Sequence, residues 1–148
     1  MALIDINLEE EKGQDFEVHQ PGMAELRIDE LDIRANNKQD GFYVNLRLKV
    51  LETENPSAIW HTCSLKPKAI WNLGNLIEAC GKGRPKLSGI PQDPKDEDDV
   101  AAANILEGEL RELLVGECFM DEVKIDRYTK SDGSVKTKNV LAGNYKRA

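Results

Sequence analysis

Tyr43, Arg47 and Lys49 stand at alternate positions of one short run, Gly41 to Val50, and Trp60 stands on the outer side of the next run, Ala58 to Leu65. Flat rings stack on unpaired bases and neighbouring cations follow phosphates, so these residue types at this spacing suit single-stranded nucleic acid. Either ring alone could instead cover a second small core; in register with Arg47 and Lys49, binding is the stronger reading. Bond-breaking chemistry would want a nucleophile beside a base, or carboxylates around a metal. His61 and Cys63 come nearest to such a pair, but their spacing puts both on the core side of a strand. His19 and His61 are the only histidines, and no Cys-x-x-Cys or His-x-x-x-His spacing occurs, which argues against zinc. Asp96 to Asp99 lack the alternation and loop glycine of a calcium site, and Gly81-x-Gly83 lacks the Gly-Lys-Ser/Thr of a phosphate loop. The sequence therefore reads as a non-enzymatic binding protein with no cofactor and no metal.

The elements that must hold these residues follow from apolar periodicity. Phe42, Val44, Leu46, Leu48 and Val50 alternate with the polar positions of the first run, and Ile59, His61, Cys63 and Leu65 with those of the next, giving two strands. Before them, Ala24, Leu26 and Ile28 shift by one residue to Leu31 and Ile33, the signature of a bulge in a long strand. Ala35 to Asp40 and Glu52 to Ser57 supply the turns of a three-strand meander. Pro67 opens an expected helix whose Ala69, Ile70, Leu73, Leu76, Ile77 and Cys80 share one face until Gly81 caps it. Residues 82 to 114 form an insertion with a loop and a second helix from Asp98 to Leu114, and Trp71 is expected to pack beneath it. Val115 to Tyr128 reads as a strand, and Ser131-Asp132-Gly133 as the hairpin turn into a last strand, Val135 to Tyr145.

The chain carries a formal charge of -7, which appears hostile to a nucleic-acid partner until the charge is located. Residues 1 to 17 hold six acids against Lys12, a net of -5, and residues 93 to 109 hold seven against Lys95, a net of -6, leaving +4 for the remainder. Both acidic stretches read as solvated surface, or else one of them competes for the binding face or draws in a basic partner. Arg27 and Arg34 are expected to pair with Glu25, Glu30 or Asp32. Beside Tyr43, Arg47, Lys49 and Trp60, the candidate contacts are Lys66 ahead of the helix, Lys82, Arg84 and Lys86 in a basic loop, and Lys124, Arg127, Tyr128, Lys130, Lys136 and Lys138 around the final hairpin. Cys63, Cys80 and Cys118 are odd in number, dispersed and set among apolar residues, as reduced thiols of a cytoplasmic protein would be. No apolar run is long enough to span a bilayer, so no membrane partner is expected.

Five strands with a helix between the third and fourth match the order of a mainly β OB-fold, a five-stranded Greek-key barrel, here with a partly helical insertion before strand four. A five-stranded α+β sheet or an SH3-like barrel could use similar elements. Residues 1 to 20 read as an acidic arm and 21 to 148 as one domain, with the insertion at 82 to 114.

Several short motifs add to this reading: Met1 to Asn7, Gly41-x-x-x-Asn45-Leu46, Leu65-x-Pro67-Lys68-Ala69, Leu114-Val115-Gly116 and Lys138-Asn139-Val140. With them the chain resembles a family of small bacteriophage-encoded OB-fold single-stranded DNA-binding proteins from replication or recombination modules. The resemblance implies sequence-independent binding and protection of single-stranded DNA in the host bacterial cytoplasm. It further implies handover to a polymerase, helicase or annealing recombinase, and is compatible with a homo-oligomer. A protein-protein interaction module using the same face, such as a phage accessory or host-takeover factor, is the alternative. The basic ending Asn144 to Ala148 departs from the acidic tail by which many single-stranded DNA-binding proteins recruit partners.

Overall fold

The computed structural model describes residues 18–85 and 89–148. Its elements run β1 (Gly22–Ala35), β2 (Phe42–Val50), β3 (Ala58–Ser64), α1 (Trp71–Ala79), α2 (Glu97–Leu114), β4 (Cys118–Thr129), β5 (Val135–Leu141) and β6 (Lys146–Arg147). The chain is mainly β: one six-stranded antiparallel sheet in the order β3-β2-β1-β4-β5, with β6 paired to β4, and two helices. The sheet curls until β3 and β5, its two edges, face one another across a groove. None of the helices described is long and apolar enough to cross a membrane.

The period-2 pattern places the core as the sequence leads one to expect. Leu26, Ile28 and Leu31 of β1, Val44, Leu46 and Leu48 of β2, and Ile59 and Cys63 of β3 are buried in a single cluster with Phe119 and Val123 of β4. In β1 the register to β2 shifts between Ile28 and Glu30, so Asp29 is the extra residue of a β-bulge. That bulge is the one-residue slip of the sequence, and it lets residues on both sides of it reach the same core. At the other end of the sheet, Gly133 takes φ +86 in the turn of the β4–β5 hairpin, where Lys130 and Ser134 close the backbone hydrogen bond.

The first helix begins later than the sequence suggests. Pro67 lies in a tight turn closed by Ala69 and Ile70 amides on the Lys66 carbonyl, and α1 starts only at Trp71. Its end is as expected: Gly81 at φ +81 donates to Glu78 and Lys82 donates to Ile77, the two bonds of a Schellman cap. Trp71, expected beneath the insertion, is 60% exposed and merely flanks a cleft with Pro85 and Ile90 on one side and a groove with the C-terminal segment on the other. As the first residue of α1 it lies off the stripe of Leu73, Leu76 and Ile77 that faces the core.

The second helix completes the edge of a strand. β1 is paired to β4 only over Gly22 to Arg27, which leaves its second half without a partner on that side. The Glu107 carboxylate accepts the Ile33 amide at 2.7 Å, Arg111 donates to the Leu31 carbonyl at 2.7 Å, and Ile28 exchanges backbone bonds with Gly116 and Glu117. Ala103, Leu106, Leu110 and Leu114 of α2 join the main core. A helix laid along an open edge in this way protects it from pairing with another chain.

The last strand also departs from the expected Val135 to Tyr145. β5 stops at Leu141, the chain turns through Ala142 to Asn144, and Lys146 and Arg147 return to pair with Met120 and Phe119 of β4. Asp121 causes the break: its fully buried carboxylate accepts the amides of Glu122, Gly143 and Asn144 at 2.7, 2.9 and 3.3 Å. Replacing Asp121 by Ala leaves those amides without their acceptor, and unfolding in urea should show a loss of about 3 kcal/mol, against a few tenths for Glu122→Ala on the exposed face. Equal losses for the two variants would show that the carboxylate does not hold the turn.

Candidate nucleic-acid interface

Pairing across β1, β2 and β3 arranges the outer face in rows: Arg27–Lys49–Ala58, Glu30–Arg47–Trp60, Asp32–Asn45–Thr62 and Arg34–Tyr43–Ser64. Trp60 points outward, 53% exposed, directly across from Arg47. Tyr43 does not form an aromatic pair with it. The two lie two rows apart, roughly 13 Å along the strands at about 3.3 Å per residue, and Tyr43 sits instead beside Arg34 and Ser64. Alternation puts both rings on one face, but only the register sets the row.

Charge across this face is graded rather than uniform. The β1 column carries Asp29, Glu30 and Asp32, of which Asp29 binds Arg27 at 2.6 Å and Asp32 binds Arg34 at 2.7 Å. Arg27 thus pairs with Asp29, a partner the sequence does not single out, while Arg34 pairs with Asp32 as expected. The Arg27 hydrogen bond holds the Asp29 carboxyl below its ordinary range; for Asp32, burial pushes upward, and the hydrogen bonds from Arg34 and Asn45 outweigh it. Trp60 therefore stands on a divide. On the β1 side lies a cleft of about 570 Å³ lined by these carboxylates, Glu112, Arg34 and Arg111. On the other side, an open groove of about 950 Å³ runs between β3 and β5, with Arg47, Trp60 and Thr62 on one wall and Thr137, Lys138 and Asn139 on the other. This groove contains no carboxylate among its described lining residues.

The segment before β1 closes one end of the groove. His19 donates its amide to Asn139 Oδ1 at 2.7 Å, accepts the Asn139 side-chain amide at 2.9 Å, and places its ring 2.7 Å from the Ser57 carbonyl. Val18, the first described residue, is itself a lining residue of this groove. The expected role of the acidic residues 1–17 as an arm lies outside the described residues. Val18, His19 and Asn139 carry no sequence signal for this position, because the contact joins the two ends of the chain.

The remaining candidates lie in several places. Lys124, Tyr128, Lys136 and Lys138 share one face of the exposed β4–β5 ribbon, where Tyr128 is opposite Lys136 and the Lys138 ammonium sits 5.3 Å from the Tyr128 ring centre. Arg127 projects from the opposite face and Lys130 lies beyond the strand. Lys66, Lys82 and Arg84 are brought elsewhere: Lys66 pairs with Asp40, Lys82 with Glu117, and Arg84 with Glu78, all within 3.2 Å. Lys86 lies outside the described residues. Lys49 sits a row from Arg47 and is exposed.

Beneath the groove, Tyr145 plugs the end of the curled sheet. Its hydroxyl lies 2.6 Å from His61 Nε2 and 3.8 Å from Cys63 Sγ, and its ring meets Phe119 edge-on. Burial pushes the Cys63 thiol up to about 11 and the Cys80 thiol up to about 12, so both stay protonated at neutral pH. A scan of protein-family models and a search of curated proteins both return no match to this chain.

Burial lowers the His61 pKa from its ordinary 6.5, only partly offset by the Asp121 charge. A base that is harder to protonate when folded leaves the unfolded chain with more protons below pH 6.5, so stability falls as the pH drops from there toward the lowered value. Thermal unfolding followed from pH 7.5 to 5 should show this decline, at no more than about 1.4 kcal/mol per pH unit for one proton, and His61→Gln should remove part of it. An unchanged pH profile in His61→Gln would place the titration elsewhere.

Proposed function

We propose that this chain is an OB-type barrel that binds single-stranded DNA without regard to sequence, in the manner of the bacteriophage-encoded family its motifs resemble. A sheet ordered β3-β2-β1-β4-β5 whose two edges face each other, with α1 between β3 and β4, supports the barrel reading. One observation carries the function: Trp60 is exposed directly across from Arg47, on the wall of a groove that has Lys138 opposite and no carboxylate among its described lining. A base stacks on the indole while Arg47 and Lys138 meet its flanking phosphates, and the carboxylates on the far side of Trp60 repel the backbone from the β1 column. The exposed β4–β5 ribbon, with Lys124, Tyr128 and Lys136, folds over the bound strand. No group on this path breaks a bond, so the role is protective and non-enzymatic: the bound strand is kept from nucleases and re-annealing until a polymerase, helicase or recombinase takes it. The setting is the cytoplasm of the host bacterium.

Fluorescence titration with oligothymidine and with duplex of equal length should give tight, sequence-insensitive single-strand binding and weaker duplex binding. Trp60→Ala should cost about 1 to 3 kcal/mol of binding with folding unchanged, while Tyr43→Ala, two rows away, should cost less. Arg47→Ala should weaken all sequences alike and reduce the slope of log affinity against log salt by about 0.7 to 1. Undiminished binding by Trp60→Ala would remove the groove as the site, and absence of any single-strand binding would leave the face to a protein partner.

A further inference from the structure

A second exposed ring, Trp71, shares a groove with two cations that form no ion pair among the described residues. Trp71, the first residue of α1, is 60% exposed, and the returning C-terminal segment forms a groove of about 720 Å³ beside it. Asn75, Asn144, Lys146 and Arg147 line this groove with Trp71. Its one side-chain carboxylate, Glu78, is already bound by Arg84 at 2.7 Å, and Arg84 also bonds Asn75. No described residue forms an ion pair with Lys146 or Arg147. The surface is therefore the same chemistry a second time: a flat ring, two positive charges without an ion-pair partner among the described residues, and amide groups that can meet base edges.

The linings of the two grooves follow one another along the chain. Leu141, the last residue of β5, lines the first, and Ala142, the next residue, lines the second. The hydrogen bond between His61 and Tyr145 marks the boundary, since His61 borders the first groove and Tyr145 the second. Asp121 accepts the amides of Gly143 and Asn144 and so fixes the backbone that lines the second groove. Helix propensity gives no reason for a tryptophan at an exposed first turn, and burying it against this domain is not what the fold does with it.

We infer that Trp71, with Lys146 and Arg147, is a second stacking platform that takes the continuation of the same single strand after it leaves the β3–β5 groove. The inference rests on the single-strand reading of that groove and extends it. The bound strand runs from Trp60 and Arg47, along the seam, to α1. Lys146 and Arg147 are thereby DNA contacts.

The chain's two tryptophans make the test direct, because each conservative variant leaves one reporter. Trp71→Phe reports on Trp60 and Trp60→Phe reports on Trp71. Oligothymidines of about 4 to 16 nucleotides, the range that OB folds occupy, serve as probes. Trp60 should be quenched by the shortest oligomers that bind, and Trp71 only once the oligomer is several nucleotides longer. Lys146→Ala with Arg147→Ala should lower affinity for the long oligomers about tenfold and leave that for the short ones within twofold. Quenching of Trp60 with Trp71 unchanged at saturating long oligomer overturns this inference and leaves the first groove standing. Quenching of Trp71 at the shortest lengths with Trp60 silent overturns the assigned path, making α1 the primary site. Silence of both, with no binding, removes the groove reading and this extension together.

Discussion

The Asp121 carboxylate is the interaction on which the working shape of this protein depends. It is wholly buried, and a buried anion survives in a fold only when donors replace the water it has lost. Here the donors are the backbone amides of Glu122, Gly143 and Asn144. By stopping β5 at Leu141 and turning the chain, they direct Tyr145 inward against Phe119, His61 and Cys63, and bring Lys146 and Arg147 back to the edge of β4. One polar side chain thus closes the end of the curled sheet and sets the wall of the groove beside α1.

The electrostatic problem posed by a net charge of -7 is resolved by position. Along β1 the acids are answered locally: Arg27 neutralises Asp29 and Arg34 neutralises Asp32, and each pair is exposed enough to add little to stability. Their effect is on direction. Carboxylates lie on the β1 side of Trp60, and Arg47 and Lys138 line the β3–β5 side, so the proposed polyanion partner would be favoured at the seam over the β1 column. The displacement of the proposed path away from the middle of the outer face rests on the charges in β1, not on strand alternation alone.

Much of the fold is legible in the sequence, for a reason that particular residues make plain. The slip from Ile28 to Leu31 reveals the bulge and Gly133 reveals the hairpin turn, because these signals are local and the side-chain period of a strand is fixed. The outward direction of Trp60 is readable in the same way. What escapes is everything decided by pairing between distant segments. The row that separates Tyr43 from Trp60 is set by register, the end of β5 by Asp121 twenty residues earlier, and the start of α1 by a turn at Lys66 that Pro67 alone does not announce. The groove wall formed by Val18, His19 and Asn139 joins residues 120 positions apart, and no periodicity carries that information.

The acidic insertion shows why composition is a weak guide to role. Residues 93 to 109 look like solvated surface, and several are, yet the two acids with the most specific work bind backbone. Asp99 accepts the amides of Gln92 and Asp93, fixing the loop that enters α2, and Glu107 accepts the Ile33 amide along the open half of β1. Arg111, one turn after Glu107, both pairs with it and donates to Leu31, so acid and base act together as a substitute strand edge. A β-strand there would satisfy the same groups but would present a new edge of its own. A helix ends the sheet instead, and its first-turn acids Glu97 and Asp98 face the positive end of its dipole rather than the groove. The negative charge of the insertion therefore stabilises the scaffold from a place outside the lining of the β3–β5 groove.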